Sequence, residues 1–125
     1  MMKILIAEDD KELRQLFSHV LISSGYHVTG VSNGQEALDA MENDYFDLII
    51  SDIMMPVLDG CEATRAIRAL DRPDGKTVPI VAMTANAFLE DIAKCRQAGM
   101  NDHLAKPLDM DRTLRTIARY RKKEA

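Results

Sequence analysis

The sequence predicts an α/β fold, a doubly wound sandwich in which helices cover both faces of a parallel sheet. Three observations predict it. Five short apolar runs alternate with amphipathic stretches of helical spacing. Most of the runs are nearly continuous, as in strands buried on both faces; a half-exposed strand would alternate polar and apolar residues. Four of the five runs end in a chemically active side chain, and right-handed crossovers bring the ends of parallel strands to one rim.

Each element has its own warrant. Strand one, residues 3–7, is Lys3-Ile4-Leu5-Ile6-Ala7. The first helix, residues 10–24, carries Leu13, Leu16, Phe17, Val20 and Leu21 as one apolar stripe, and Gly25 ends it as a C-terminal cap. Strand two, about residues 26–31, has the weakest pattern. Ser32-Asn33-Gly34 turns into the second helix, whose inward residues are Ala37, Leu38 and Met41. Strand three is residues 48–51, Leu48-Ile49-Ile50-Ser51, with Asp52 directly after it. The third helix starts at Asp59-Gly60 and turns Ala63, Ile67 and Leu70 inward. Residues 71–76, Asp71-Arg72-Pro73-Asp74-Gly75-Lys76, read as a polar loop. Strand four is residues 80–83, with Pro79 where a missing N–H is tolerated and Thr84 following. The fourth helix spans residues 86–98 and stops at Gly99. Strand five, residues 102–105, leads into Lys106, and the fifth helix, residues 109–120, turns Leu114, Ile117 and Ala118 inward.

Bulk properties narrow the function. A chain of 125 residues suits one domain with one core, and 46% hydrophobic with 29% charged residues is ordinary for a globular protein. A net charge of -4 argues against direct nucleic-acid binding, and Arg112, Arg115, Arg119, Arg121, Lys122 and Lys123 read as a solvated face. Cys61 and Cys95 lack zinc-site spacing and make no disulfide framework; both read as small buried residues on helices, reduced in a cytoplasm. No apolar stretch approaches the ~18 residues of a membrane span, and Glu8-Asp9-Asp10 interrupts any signal peptide, so the expected location is cytoplasmic.

The chemistry lies at the strand ends. Glu8, Asp9 and Asp52 converge on one rim, where three carboxylates repel one another and call for a hard divalent cation. Oxygen-only ligands favour Mg²⁺, or Mn²⁺, over zinc. Asp9 and Asp52 suit direct ligation, with the Met54 carbonyl as third protein donor and Glu8 acting through a water. Lys106 adds an ammonium and Thr84 a hydroxyl. A metal, an ammonium and a hydroxyl around one carboxylate make an anion-stabilising cage of the kind phosphoryl transfer needs, with Asp52 as nucleophile and an aspartyl phosphate as product.

Taken in order, Glu8-Asp9, Asp52 with Met55-Pro56-Val57-Leu58-Asp59-Gly60, Thr84-Ala85 and Lys106-Pro107 make the chain resemble the receiver domain of two-component response regulators over essentially its whole length. The resemblance implies one CheY-like domain across residues 1–125, a flavodoxin-like (βα)5 topology with strand order 2-1-3-4-5, and a cis bond before Pro107. It also implies phosphoryl transfer from a phosphohistidine of a sensor histidine kinase or a histidine phosphotransfer protein, without turnover of an external substrate. Switching is implied too: Thr84 moves toward the phosphoryl group, an aromatic residue on strand five swings inward, and the face of the fourth helix, fifth strand and fifth helix changes shape. Here that strand-five position holds His103, where many relatives carry Tyr or Phe. Met54 and Asn86 flank the expected path of the hydrolytic water, and an apolar Met54 implies moderate to slow self-hydrolysis.

Several residues have plainer readings. Asp10 and Asp59 fit helix N-caps, His19 and His27 fit surface or partly buried positions rather than phosphoacceptors, and eight methionines fit plastic packing. Among competing functions, a receiver-like binding surface without phosphorylation conflicts with the complete cage. A Mg²⁺-dependent aspartyl-phosphate phosphatase usually has a second Asp where Met54 stands, and no Ser/Thr/Gly-rich loop follows strand one as a flavodoxin requires. Residues 60–68 and 82–87 most resemble receivers attached to hybrid histidine kinases. No output domain is expected after the fifth helix, which leaves a stand-alone regulator, a relay intermediate or an excised domain; the expected partners are a phosphodonor and a downstream protein target, with the chain a monomer or weak dimer.

Overall fold

Five parallel strands form one sheet in the order β2-β1-β3-β4-β5. They are β1 (Lys3–Ala7), β2 (His27–Val31), β3 (Leu48–Asp52), β4 (Ile80–Thr84) and β5 (Asp102–Ala105). Among the described residues five helices connect them and a sixth follows: α1 (Lys11–Ser23), α2 (Gly34–Asn43), α3 (Gly60–Arg68), the short α4 (Pro73–Thr77), α5 (Leu89–Ala98) and, after β5, α6 (Met110–Arg119). The structure is a computed structural model and describes residues 2–53, 57–84, 89–106 and 109–120, with the side chains of 89–92 excepted. The flavodoxin-like order expected of the family is therefore present.

Alternation along β1 divides the core. Ile4 and Ile6 join Phe17, Leu21, Leu48, Ile50, Val81, Met83, Leu104 and Ile117 on the face covered by α1 and α6. Leu5 and Ala7 join Ala37, Met41, Ile49, Cys61, Ile67, Ile80, Ala82 and Cys95 on the face covered by α2, α3 and α5. Both faces of β1, β3 and β4 are buried, so their sequences can be apolar without interruption. Strand β2 lies at the edge and is half exposed, which explains its faint pattern.

Local signals set the helix ends. The Asp10 carboxylate accepts from the N–H groups of Glu12 and Leu13, and Gly25 follows α1 at φ 96°. Asp59 and Glu62 form a reciprocal capping box at the start of α3. Asp109 caps α6 through the N–H groups of Asp111 and Arg112.

Four expectations need correction. Leu16 is 62% exposed, so the buried stripe of α1 centres on Phe17 and Leu21, one turn apart. Ala118 is exposed, and Leu114, partly buried, and Ile117 are joined on the inward face of α6 by Thr113 and Thr116. The two threonines were hidden by their polarity, which they satisfy within the helix: their hydroxyls donate to the Asp109 and Arg112 carbonyls at 2.9 and 3.0 Å. The supposed loop at 71–76 contains α4, begun by Pro73 at a position where its missing N–H costs nothing. Arg68 holds this region by donating to the Gly75 carbonyl at 3.2 Å and to the Gly99 carbonyl at 2.8 Å. Finally, Asp52 and Thr84 are the last residues of their strands, where the sequence had placed both just beyond.

One glycine contact fixes the working end of the sheet. A Cβ on Gly60 would overlap the carbonyl oxygen of Asp52, so the start of α3 can seat against β3 only without a side chain there. The Gly60 N–H donates to the Ile53 carbonyl at 3.0 Å and closes the intervening loop. Gly60→Ala is expected to cost about 3 kcal/mol, toward the upper end for overpacking against rigid atoms. Urea unfolding should show a lower midpoint with an unchanged slope; an unaltered midpoint would contradict this packing.

Candidate functional site

The site is built from the carboxyl ends of β1, β3, β4 and β5, the rim where open α/β sheets place their function. Glu8 directly follows β1, and its backbone is pinned twice. Its N–H donates to the Val31 carbonyl at 3.0 Å, and its carbonyl accepts from the Arg14 guanidinium at 2.7 Å. Asp52 ends β3, one register step from Thr84, because Asp52 pairs with Met83. Lys106 follows β5, and its N–H donates to the Thr84 carbonyl at 2.8 Å. These backbone links place the side chains before any ligand is considered.

Lys106 joins the two buried acids. Its ammonium donates to Asp52 Oδ2 at 2.7 Å and to Glu8 Oε1 at 2.8 Å. Glu8 is fully buried and Asp52 is 6% exposed, whereas Asp9 faces solvent. Carboxylate oxygens of Glu8, Asp9 and Asp52 lie within 4.8 Å of one another. Burial pushes the Glu8 carboxyl up to about 7; its contact with Asp52 adds to the rise and its bond to Lys106 opposes it. Burial draws Lys106 down, but its bonds to Asp52 and Glu8 outweigh that and leave its pKa raised.

Glu8 Oε2 is buried without a hydrogen-bond partner, an arrangement that costs free energy unless something else satisfies the oxygen. Three carboxylates and one ammonium leave a formal charge of -2, matching one divalent cation. An all-oxygen donor set suits a hard ion such as Mg²⁺. The residues therefore fit the expected metal. Glu8 sits deeper than its assigned place behind a water suggested. Its burial was not readable from the sequence, because it is the ion pair with Lys106, 98 positions away, that makes a buried carboxylate tolerable.

The structure thus brings together Glu8, Asp9, Asp52 and Lys106, with Thr84 buried at the same rim. Met54, Asn86 and the bond before Pro107 lie outside the described residues. His103 is partly buried on β5, opposite Ala82. Asp10 and Asp59 are caps, and His19 and His27 are exposed. Val57 belongs to the motif that follows Asp52, but nothing in the sequence marked its backbone as unusual. It takes φ 70° and is 80% exposed, a strained conformation for a β-branched residue.

The family model for the response regulator receiver domain matches residues 4–118. The chain belongs to that family. Receiver domains are phosphoacceptor signalling modules of two-component systems rather than conventional enzymes. Among curated relatives, the sensor histidine kinase RcsC of Salmonella typhi is 36% identical over 119 residues, covering 95% of this chain but 12% of the kinase. An uncharacterized 14.6 kDa protein of Leptolyngbya boryana is 38% identical, covering 95% of this chain and 89% of that one. Among solved structures, the receiver domain of sensor histidine kinase PA1611 from Pseudomonas aeruginosa is 43% identical with a TM-score of 0.87, covering 95% and 96% of the two chains. That structure holds a magnesium ion in its active-site cleft. Chemotaxis protein CheY4 of Vibrio cholerae is 34% identical with a TM-score of 0.91, covering 97% and 99%. Among the described residues no helix is long and apolar enough to cross a membrane.

Glu8 generates a pH prediction. Its carboxyl is raised in the folded protein from an ordinary value of 4.5 to about 7, so the folded state holds the proton more tightly. Its stabilising contribution is complete below about pH 4.5 and is lost as pH rises through 7. Metal-free protein should lose thermal stability between pH 5 and 8 relative to Glu8→Gln, and Mg²⁺ should raise the melting temperature more at pH 8 than at pH 5. Parallel melting curves for the two proteins across that range would contradict the assignment.

Proposed function

We propose that this receiver accepts a phosphoryl group on Asp52 from a phosphohistidine of a sensor histidine kinase or a histidine phosphotransfer protein. The observation that carries the reading is the Lys106 ammonium held between Asp52 and Glu8 at the carboxyl rim of the sheet. A carboxylate oxygen of Asp52 attacks phosphorus, the P–N bond to the donor imidazole breaks, and an acyl phosphate forms. Lys106 orients Asp52 beforehand and offers its charge to a phosphoryl oxygen afterwards. Thr84 supplies a hydroxyl donor at the same rim. Mg²⁺ would be held by Glu8, Asp9 and Asp52, with the Met54 carbonyl as a further donor, and would neutralise phosphoryl charge.

The product would bias the face formed by α5, β5 and α6, through Thr84 and through His103 on β5. A relay role, with the chain akin to a hybrid-kinase receiver, draws support from the RcsC and PA1611 likenesses, and its downstream target would be a protein.

Incubation with Mg²⁺ and acetyl phosphate followed by intact mass tests the reading. One phosphoryl group should be gained, and Asp52→Asn or a chelator should abolish the gain. An unchanged mass in folded, Mg²⁺-loaded protein would refute it. Replacing the apolar Met54 by a residue that can orient water, Met54→Asn, should speed decay of that species by about tenfold, less than a fully positioned general base contributes. An unchanged lifetime would remove Met54 as a determinant.

A further inference from the structure

Two thiols meet between α3 and α5. Cys61 lies in the first turn of α3 and Cys95 in the second half of α5, 5% and 3% exposed, in the same apolar cluster. The two helices pack against each other, and the side chains are in hydrogen-bond contact. A lone buried thiol serves only as a small apolar group. Two in hydrogen-bond contact need only a local side-chain movement to come within bonding distance of each other.

We propose that Cys61 and Cys95 form a reversible intrachain disulfide, a redox modification site that cross-links α3 to α5. The oxidant is a low-molecular-weight disulfide. One protein thiolate attacks its sulfur, releasing one thiolate and leaving a mixed disulfide; the second cysteine then displaces the other thiolate and closes the protein bond. Two protein thiols lose two protons and two electrons, and the small disulfide is reduced to two thiols. Burial and the nearby Asp59 push the Cys61 thiol up, while its bond to Cys95 opposes them, so exchange in the closed fold is slow. Proximity fixes the equilibrium, not the rate.

The cross-link has a consequence for the working end of the sheet. Cys61 follows Gly60, whose backbone abuts the Asp52 carbonyl, and α5 is the first helix after β4 and Thr84. A Cys61–Cys95 bond would tie the helix that seats the phosphoacceptor strand to the helix of the proposed switching face.

The test is an equilibrium. The chain is held in buffers of reduced and oxidised glutathione at a range of ratios, folded or in urea, then acid-quenched, alkylated and weighed. The folded protein should become two hydrogens lighter and resist alkylation. Half-conversion should come at conditions about tenfold or more further toward reduced glutathione than for the unfolded chain. Peptide mapping should join Cys61 to Cys95, and C61S and C95S should each show only a single glutathione adduct. An equal or lower tendency to cross-link in the folded protein, or separate glutathione adducts on both thiols of the wild type, would overturn the proposal.

Discussion

Everything at the functional end depends on one ammonium. Lys106 stands between Glu8 and Asp52 and so ties the end of β5 to the ends of β1 and β3. Two buried carboxylates at such spacing would otherwise repel across a medium that screens poorly. An ion pair of this kind contributes little net stability, because desolvation offsets most of the attraction. Its value is positional: it holds Asp52 in one orientation and leaves Glu8 with one oxygen unsatisfied. The pair therefore specifies a binding site more than it stabilises a fold.

The scaffold supplies that position through backbone contacts. The Lys106 N–H reaches the Thr84 carbonyl, the Glu8 N–H reaches Val31, and the Ile53 N–H reaches Met83 at 3.1 Å, each extending the sheet past its last regular pair. Gly34 plays the part on α2 that Gly60 plays on α3: a Cβ there would overlap the Leu58 carbonyl, to which its N–H donates at 2.9 Å. The carbonyls of Ile53 and Leu58 are both bonded, to the N–H groups of Gly60 and Gly34, while the exposed Val57 takes a left-handed conformation. Such strain persists only where the surroundings over-determine the backbone.

Much of this was legible in the residues. Runs of Ile, Leu and Val located β1, β3 and β4, and placing Asp52, Thr84 and Lys106 at strand ends followed from the alternation of apolar runs with helices. The errors share a cause. Leu16 and Ala118 fit their apolar stripes by helical spacing, yet the room beneath each turn decides which side chains of a stripe enter the core. Thr113 and Thr116 were passed over because hydroxyls look polar until their own helix accepts the proton. At the turn before Pro73, Arg72 stacks on Tyr45 and donates to the Asp44 carbonyl, contacts that no local window contains. The depth of Glu8 belongs to the same class, since only the folded chain brings Lys106 beside it.

Charge balance is what makes such a site responsive. Three carboxylates against one ammonium are left short of neutrality, and a proton on Glu8 or a divalent ion can each make up part of the deficit. Any group that adds charge at Asp52 must redistribute the partners already there, and Lys106 is bonded through its backbone to the strand that ends in Thr84. A ligand shifts an equilibrium only by its differential interaction with the two states. On the proposed function the shared ammonium would supply that difference, because its bond to Asp52 would compete with its bond to an arriving phosphoryl group. A lysine paired to one carboxylate alone would transmit less, since Glu8 would not feel the change. Because Lys106 bridges two buried acids at separate strand ends, a charge event at Asp52 would alter how three strand ends are held together.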